Sequence, residues 1–432
     1  MKGKQIIRDA WRQIVLLLVA LPSLFVRADP LDHWTTNQLS DIGYYTPLSL
    51  YYTNFVRPIY AAYGNGRFVA GAYRSDYGYL FSSDDGLKWD LRWSGQANPP
   101  TNTVANLPIL SSLHFDGTRF LATGDPLGRA MAVSTNGIQW SVYGCPSQEH
   151  AFDRLCAVSY GQAKYVIAYR RYQTTDNYFY YSSDGTNWQP GFHDSINLKV
   201  RDIAYGRASA INPKWGFIAV TDSTNYFQSQ TGTSWTQGSF AGGSSISFVK
   251  GNYIVPSAPG TNLMLAVGSP TLTWQAVPTG VPDLLGKISE ASGILYARAG
   301  NYLATSTNGI NWVKHGASPL PGTSAGTVAS DGKRLVAVAG VFEQGPFNWS
   351  EWYAAYTSDP FVALSITPTS PPQLSLSGLV GRSYRIDYTD GLVNGTNNWQ
   401  ALTNLQLPSS PFLLTDSTAT NSQRFYRAVL LP

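Results

Sequence analysis

The densest concentration of side chains able to do chemistry lies between two cysteines, in Cys145-Pro-Ser-Gln-Glu149-His150-Ala-Phe-Asp153-Arg154-Leu-Cys156. An acid, an imidazole and a guanidinium on one short loop would position a general acid or clamp a carboxylate. The competing reading is a packed surface loop whose charges are merely solvated. Cys145 and Cys156 are the only cysteines. In an oxidising compartment they read as a local disulfide, which stabilises by about 2–4 kcal/mol through loop closure. Two buried thiols are the alternative.

A second pattern is arginine shortly before a tyrosine. Arg57 and Arg154 each precede Tyr63 or Tyr160 by six residues, and Arg201 precedes Tyr205 by four. Converging on one mouth they would form an anion site; at strand ends, arginines also pair with neighbouring acids such as Asp153 or Asp202. Further polar or aromatic candidates are Arg74 and Asp76, Arg129, Arg170, and Glu343 with Trp349. A hydrolytic reading would draw its acids from Glu149, Asp153 or Glu343, in a chain with four glutamates in all. No phosphate-binding loop, dinucleotide fingerprint or nucleophile elbow occurs, and two cysteines without a nearby histidine pair give no zinc site. No cofactor and no metal are expected.

These residues need a scaffold, and the chain supplies one by repetition. A turn followed by an apolar strand recurs seven times, as in Asn65-Gly66-Arg67-Phe68-Val69 and Asp331-Gly332-Lys333-Arg334-Leu335-Val336. Asn-Gly and Asp-Gly supply the positive φ angles of a tight hairpin. Downstream sits a second motif ending in tryptophan: Ser82-Ser83-Asp84-Asp85-Gly86-Leu87-Lys88-Trp89, with counterparts ending at Trp140, Trp188, Trp235 and Trp312 and a worn copy at Trp274. Successive tryptophans are 51, 48, 47, 39 and 38 residues apart, the period of a four-stranded propeller blade. The expected fold is all-β: a seven-bladed β-propeller followed by a small β-sandwich. A seventh box, Thr357-Ser358-Asp359-Pro360, lacks its tryptophan. Trp34 is expected to complete that blade, with Phe361 to Leu364 as the alternative closing strand.

The first box, read as Ser82, Asp84, Gly86 and Trp89 in an S-x-D-x-G-x-x-W pattern, resembles the Asp-box, or bacterial neuraminidase repeat, of sialidase-like propellers. The resemblance implies a structural role for the box residues, on the face opposite the usual binding mouth. It implies no particular chemistry. The sialidase Arg-Ile-Pro signature is met only by Val56-Arg57-Pro58-Ile59, with proline and isoleucine exchanged.

Residues 1–28 read as an export signal: a basic start (Lys2, Lys4, Arg8, Arg12), an apolar run from Ile14 to Phe25 and a small-residue site at Val26-Arg27-Ala28. Its removal leaves 25 basic and 25 acidic residues. Without a global positive excess, nucleic acid is not an expected partner, and the apolar run is too short to span a bilayer. The expected setting is secreted or in the cell envelope, as a monomer. The propeller is expected over 29–364, a proline-rich linker over 365–373 and the sandwich module over 374–432. The tail, through Ser383-Tyr384-Arg385-Ile386 and Arg424-Phe425-Tyr426-Arg427, resembles the short C-terminal modules of exported bacterial proteins.

The leading functional expectation is a non-catalytic binding or scaffold protein whose propeller mouth engages a glycan or an extracellular or envelope protein. The alternatives are a divergent glycoside hydrolase and an envelope assembly factor.

Overall fold

The computed structural model describes residues 30–31, 34–39, 57–74, 77–94, 110–124, 130–144, 154–170, 176–194, 199–206, 216–240, 243, 245–256, 262–267, 273–282, 284–291, 293–299, 302–315, 327–344, 349–392, 398–421 and 423–431. The chain divides into two compact units. One is Pro30–Phe361 and the other carries Val362–Val429.

The first unit is a β-propeller. Among the described residues it contains seven four-stranded antiparallel sheets, six of them built from four consecutive strands. The innermost strands are Arg57–Gly64, Leu110–Phe115, Arg154–Gly161, Val200–Tyr205, Ser247–Val249, Leu284–Ala291 and Val328–Ser330. Each adjoins the next, and the last adjoins the first, so the array is closed. Closure is chemical as well as steric. Thr327 Oγ1 accepts the Ala61 N–H and lies 3.2 Å from its carbonyl, while Thr357 Oγ1 donates to the Gly86 carbonyl at 2.5 Å.

The seventh sheet takes its outer strand from the other end of the chain: Trp34–Gln38 pairs antiparallel with Trp349–Ser358, placing Trp34 opposite Ser358. In blade six the box tryptophan holds the same place, Trp312 opposite Ser306. Trp34 Nε1 donates to the carbonyl three residues back, Leu31, at 2.7 Å; Trp89, Trp235 and Trp312 do the same to Gly86, Gly232 and Gly309. Trp34 is therefore the tryptophan the seventh box lacks, and Phe361 is instead buried against Tyr296.

The core is distributed between the blades. Trp89 packs on a cluster drawn from blades seven and one, Trp140 on blades one and two, Trp188 on two and three, Trp235 on three and four, Trp274 on four and five, and Trp312 on five and six. Each large apolar ring thus fills the widening outer part of a wedge between two twisted sheets.

The box turn uses a different register from the one read in the first copy. In every well-formed copy the serine three residues before the glycine accepts the glycine N–H, at 2.8–2.9 Å: Ser83 for Gly86, Ser134 for Gly137, Ser182 for Gly185, Ser229 for Gly232 and Ser306 for Gly309. The residue just before the glycine caps the next two amides, as Asp85 does for Leu87 and Lys88 and Asp184 for Thr186 and Asn187. The operative pattern is S-x-D-G-x-x-W, so Ser83 and Asp85 replace Ser82 and Asp84. Asp84 is 73% exposed and pairs with Arg67, and Ser82 accepts from Arg92. These capping bonds hold the Asp85 and Asp184 carboxyls below the usual range, with Asp85's slight burial working against them.

The second unit contains two three-stranded sheets with a core of Leu374, Leu376, Leu379, Tyr384, Ile386 and Leu407. Its first strand is Val362–Thr367, paired with Gln373–Gly378. The expected linker over 365–373 is thus corrected: it carries the end of one strand, a proline turn and the start of the next. Pro372 and Thr369 are tied into that turn by bonds to Asp416 and Pro371.

Candidate functional site

The inner strands of blades one to four share a bulge, at Ile59, Ser111, Cys156 and Arg201, where one residue has no partner on the neighbouring strand. Four residues on stand Tyr63, Phe115, Tyr160 and Tyr205. These face an aromatic residue at the start of the next strand, Phe68, Phe120, Tyr165 or Phe217, with ring centroids 4.7–4.9 Å apart. Phe248 repeats the arrangement against Tyr253 at 5.0 Å. In blades six and seven the position is taken by Glu290 and Ser330, opposite Leu295 and Leu335.

All seven equivalent residues line one cavity of about 450 Å³ in the central channel. Five successive blades contribute an arc of half-buried aromatic rings; the last two leave a polar gap. Glycine makes the arc possible. A Cβ on Gly64 would run into the Phe115 ring, one on Gly161 into Tyr205, and one on Gly206 into Phe248. Each such ring packs directly against the preceding blade's backbone at that glycine.

The channel's charged groups are paired. Lys287 of blade six reaches Asp202 of blade four, Nζ to Oδ1 2.9 Å, and the other Asp202 oxygen accepts the Ile246 N–H of blade five at 3.0 Å. Glu290 Oε2 accepts the Lys250 N–H at 3.3 Å, with Lys250 Nζ 3.7 Å from Oε1. Asp116 Oδ1 accepts Thr118 and Arg119 amides, and the Arg119 guanidinium lies 4.6 Å over the Tyr160 ring and bonds Tyr165 at 2.5 Å. His114 also lines the channel, and its Nδ1 has no hydrogen-bond partner among the described residues. Burial, helped by the nearby Lys287 ammonium, pushes its imidazole down to about 3, so it stays neutral at ordinary pH. By contrast, the hydroxyls of Tyr63, Tyr160 and Tyr205 have no bonded partner among the described residues.

Of the residues singled out from sequence, Glu149, His150, Asp153, Asp76, Arg129 and Cys145 lie outside the described residues, as does the export signal. For Arg57, Arg74, Arg154, Arg170, Cys156, Glu343 and Trp349 only the backbone is described. Arg57 and Arg154 open equivalent inner strands, two residues before the bulge. Arg201 is not their counterpart. It is itself the bulged residue, and its guanidinium lies 3.4 Å from Asp222. The anion site built on all three arginines loses this member. Sequence reading missed His114 and Lys287, and offered Asp202 as an arginine partner where it instead meets Lys287; the aromatic arc did leave a signal, the Tyr-Gly pairs before the hairpins.

The geometry defines a β-propeller with a hollow, largely charge-neutral channel. No protein-family model and no curated protein sequence matches the chain. Among solved structures it is similar to YCF48 bound to D1 peptide, at 14% identity and a TM-score of 0.47 over 77% of this chain and 99% of that one. It is also similar to a catalytically inactive virginiamycin B lyase from Staphylococcus aureus with quinupristin, at 11% identity and a TM-score of 0.49 over 76% and 99%. A third is the Cps50 (Swd1) β-propeller domain from Myceliophteria thermophila, at 11% and 0.45 over 66% and 94%.

Proposed function

We propose that this chain is an exported, non-catalytic binding scaffold whose propeller channel receives a segment of a polypeptide partner. The observation that carries the reading is the set of hydroxyls of Tyr63, Tyr160 and Tyr205 on the aromatic arc, which have no bonded partner among the described residues. Sugar recognition by stacking needs an open aromatic face. Phe115, Tyr205 and Phe248 pack on Gly64, Gly161 and Gly206, and the Arg119 guanidinium lies over the Tyr160 ring, so one side of each of these rings is already covered. What is offered between them is a set of hydroxyls, suited to the amides and side chains of a peptide. The carboxylates of the described channel each have a cation partner, which favours binding over acid–base chemistry. Export rests on the basic, apolar and small-residue pattern over residues 1–28, and a relation to Asp-box propellers on the serine-and-acid turns, here one residue shorter between acid and glycine.

The test is to present the full chain in parallel to a peptide display library and a glycan array, then repeat with Tyr63, Tyr160 and Tyr205 all changed to Phe. Packing is preserved and only hydroxyls are lost. Selected peptides should bind the variant about tenfold or more weakly, since each hydrogen bond contributes about 0.5–1.5 kcal/mol. Glycan binding without any selected peptide, or an unchanged peptide affinity, would overturn the reading.

A further inference from the structure

A second polar site lies outside the propeller altogether, on the C-terminal unit. Asp387 is buried, 3% exposed at its side chain, and two arginines converge on it. Arg385 bonds through Nε to Oδ1 at 2.7 Å and through a terminal nitrogen to Oδ2 at 3.3 Å; Arg427 bonds through Nε to Oδ2 at 2.8 Å. Two guanidiniums on one carboxylate leave a net positive charge. Among the described residues most of their terminal N–H groups have no partner, and both side chains remain well exposed, at 39% and 43%.

The same unit shows what an arginine committed to structure looks like. Arg424 is 7% exposed and bonds Asp390, Asp416 and Thr418 while lying 4.0 Å over the Tyr388 ring. Three of its five N–H groups are committed, and the side chain is buried. Arg427, by contrast, is stacked 4.5 Å over Trp399 and anchored by one nitrogen only, which orients its free edge without consuming it. That is preorganisation for a ligand: the side-chain entropy is lost on folding and not on binding.

The neighbours specify the ligand further. Across the sheet, exposed Asn404 stands opposite Arg385, Ala401 opposite Asp387 and Gln406 opposite Ser383. These cross-strand neighbours are neutral, and among the described residues Asp387 is the one carboxylate bonded to either arginine. A planar guanidinium fork matches a planar carboxylate, and amides match hydroxyls. We infer that Arg385 and Arg427 form a binding site for the carboxylate of an acidic sugar, a uronate, on the outer face of the C-terminal unit.

The experiment is calorimetric titration of the full chain with an oligogalacturonide and with its methyl ester, at low and at raised salt. The acid should bind, the ester should not, and affinity should fall as salt screens the charge. Arg427→Lys and Arg385→Lys keep the charge but lose the fork; each should weaken binding about tenfold or more. Because Asp387 is buried, each variant is first checked for an unchanged melting profile. In the wild-type protein, phenylglyoxal labelling of Arg427 and Arg385, read by mass spectrometry, should be suppressed by the acid and not by the ester. Absence of binding by the acid, equal binding of the ester, or labelling unaffected by the acid would overturn the assignment.

Discussion

The hydroxyl of Thr357 donates to the carbonyl of Gly86, a bond between residues 271 positions apart that joins the last blade to the first. The Gly86 Cα faces Val336 and Thr357 so closely that a methyl group there would strike both, and its φ of 75° disfavours any side chain. The box glycine packs in the same way on the preceding blade at Gly137 against Val69, Gly232 against Val166 and Gly309 against Ile254. The ring is therefore sealed between its ends by the contact used between its interior blades.

Removing the tryptophan that completes blade seven should loosen this seal. Trp34→Ala loses a half-buried indole and the bond to Leu31, for a cost of about 2 kcal/mol at the usual value of buried apolar area. Urea unfolding should show a lower midpoint.

The register of the first box can be tested by two neighbouring aspartates. Asp85→Ala strips the cap from Leu87 and Lys88 and should cost about 1–2 kcal/mol. Asp84→Ala breaks an exposed pair with Arg67 and should cost about 0–1 kcal/mol. A larger effect at Asp84 would restore the longer spacing.

Gly161→Ala places a methyl group in the Tyr205 ring. Overpacking of this kind costs about 1–3 kcal/mol. Adding Tyr205→Ala removes the clash, so the double variant should be less destabilised than the sum of the single ones, and a thermal-melt double-mutant cycle reads the difference. Additive losses would place the ring elsewhere.

His114 gives the propeller an acid sensitivity of known sign. Its folded-state value, about 3, lies below the ordinary histidine value near 6.5. The unfolded chain therefore binds a proton that the folded chain refuses, and stability falls as pH drops from about 6.5 toward 3. The capped carboxylates Asp85 and Asp416 also have lowered values, and their contribution is lost only as pH falls below about 4. His114→Gln should thus flatten the stability profile between about pH 4 and 6.5, measured by urea midpoint, and leave the steeper acid limb in place.

Much of the architecture was legible because it is written in periodic glycines and tryptophans. In the C-terminal unit, alternation with buried Leu374, Leu376, Tyr384 and Ile386 fixes which face of Gln373–Gly378 and Ser383–Thr389 turns inward. The box register misread itself because Ser82-Ser83-Asp84-Asp85 offers two serines and two acids, and only the position of Gly86 decides between them. The channel was harder still. Lys287 and Asp202 are 85 positions apart, within strands of otherwise unremarkable composition, and no spacing rule joins them. Tyr63, Tyr160 and Tyr205 were visible beside their glycines, but the bulge that puts them in phase is a property of pairing, which sequence alone does not display.

The clasp formed by Trp34–Gln38 has a bearing on how the molecule is made. Ribosomal synthesis delivers this segment first and its pairing partner some 320 residues later, so throughout elongation one edge stays open and its hydrogen-bonding groups unclaimed. Any nascent chain cut short before Ser358 lacks the means to lock, which makes translation as far as that residue the condition for a sealed ring.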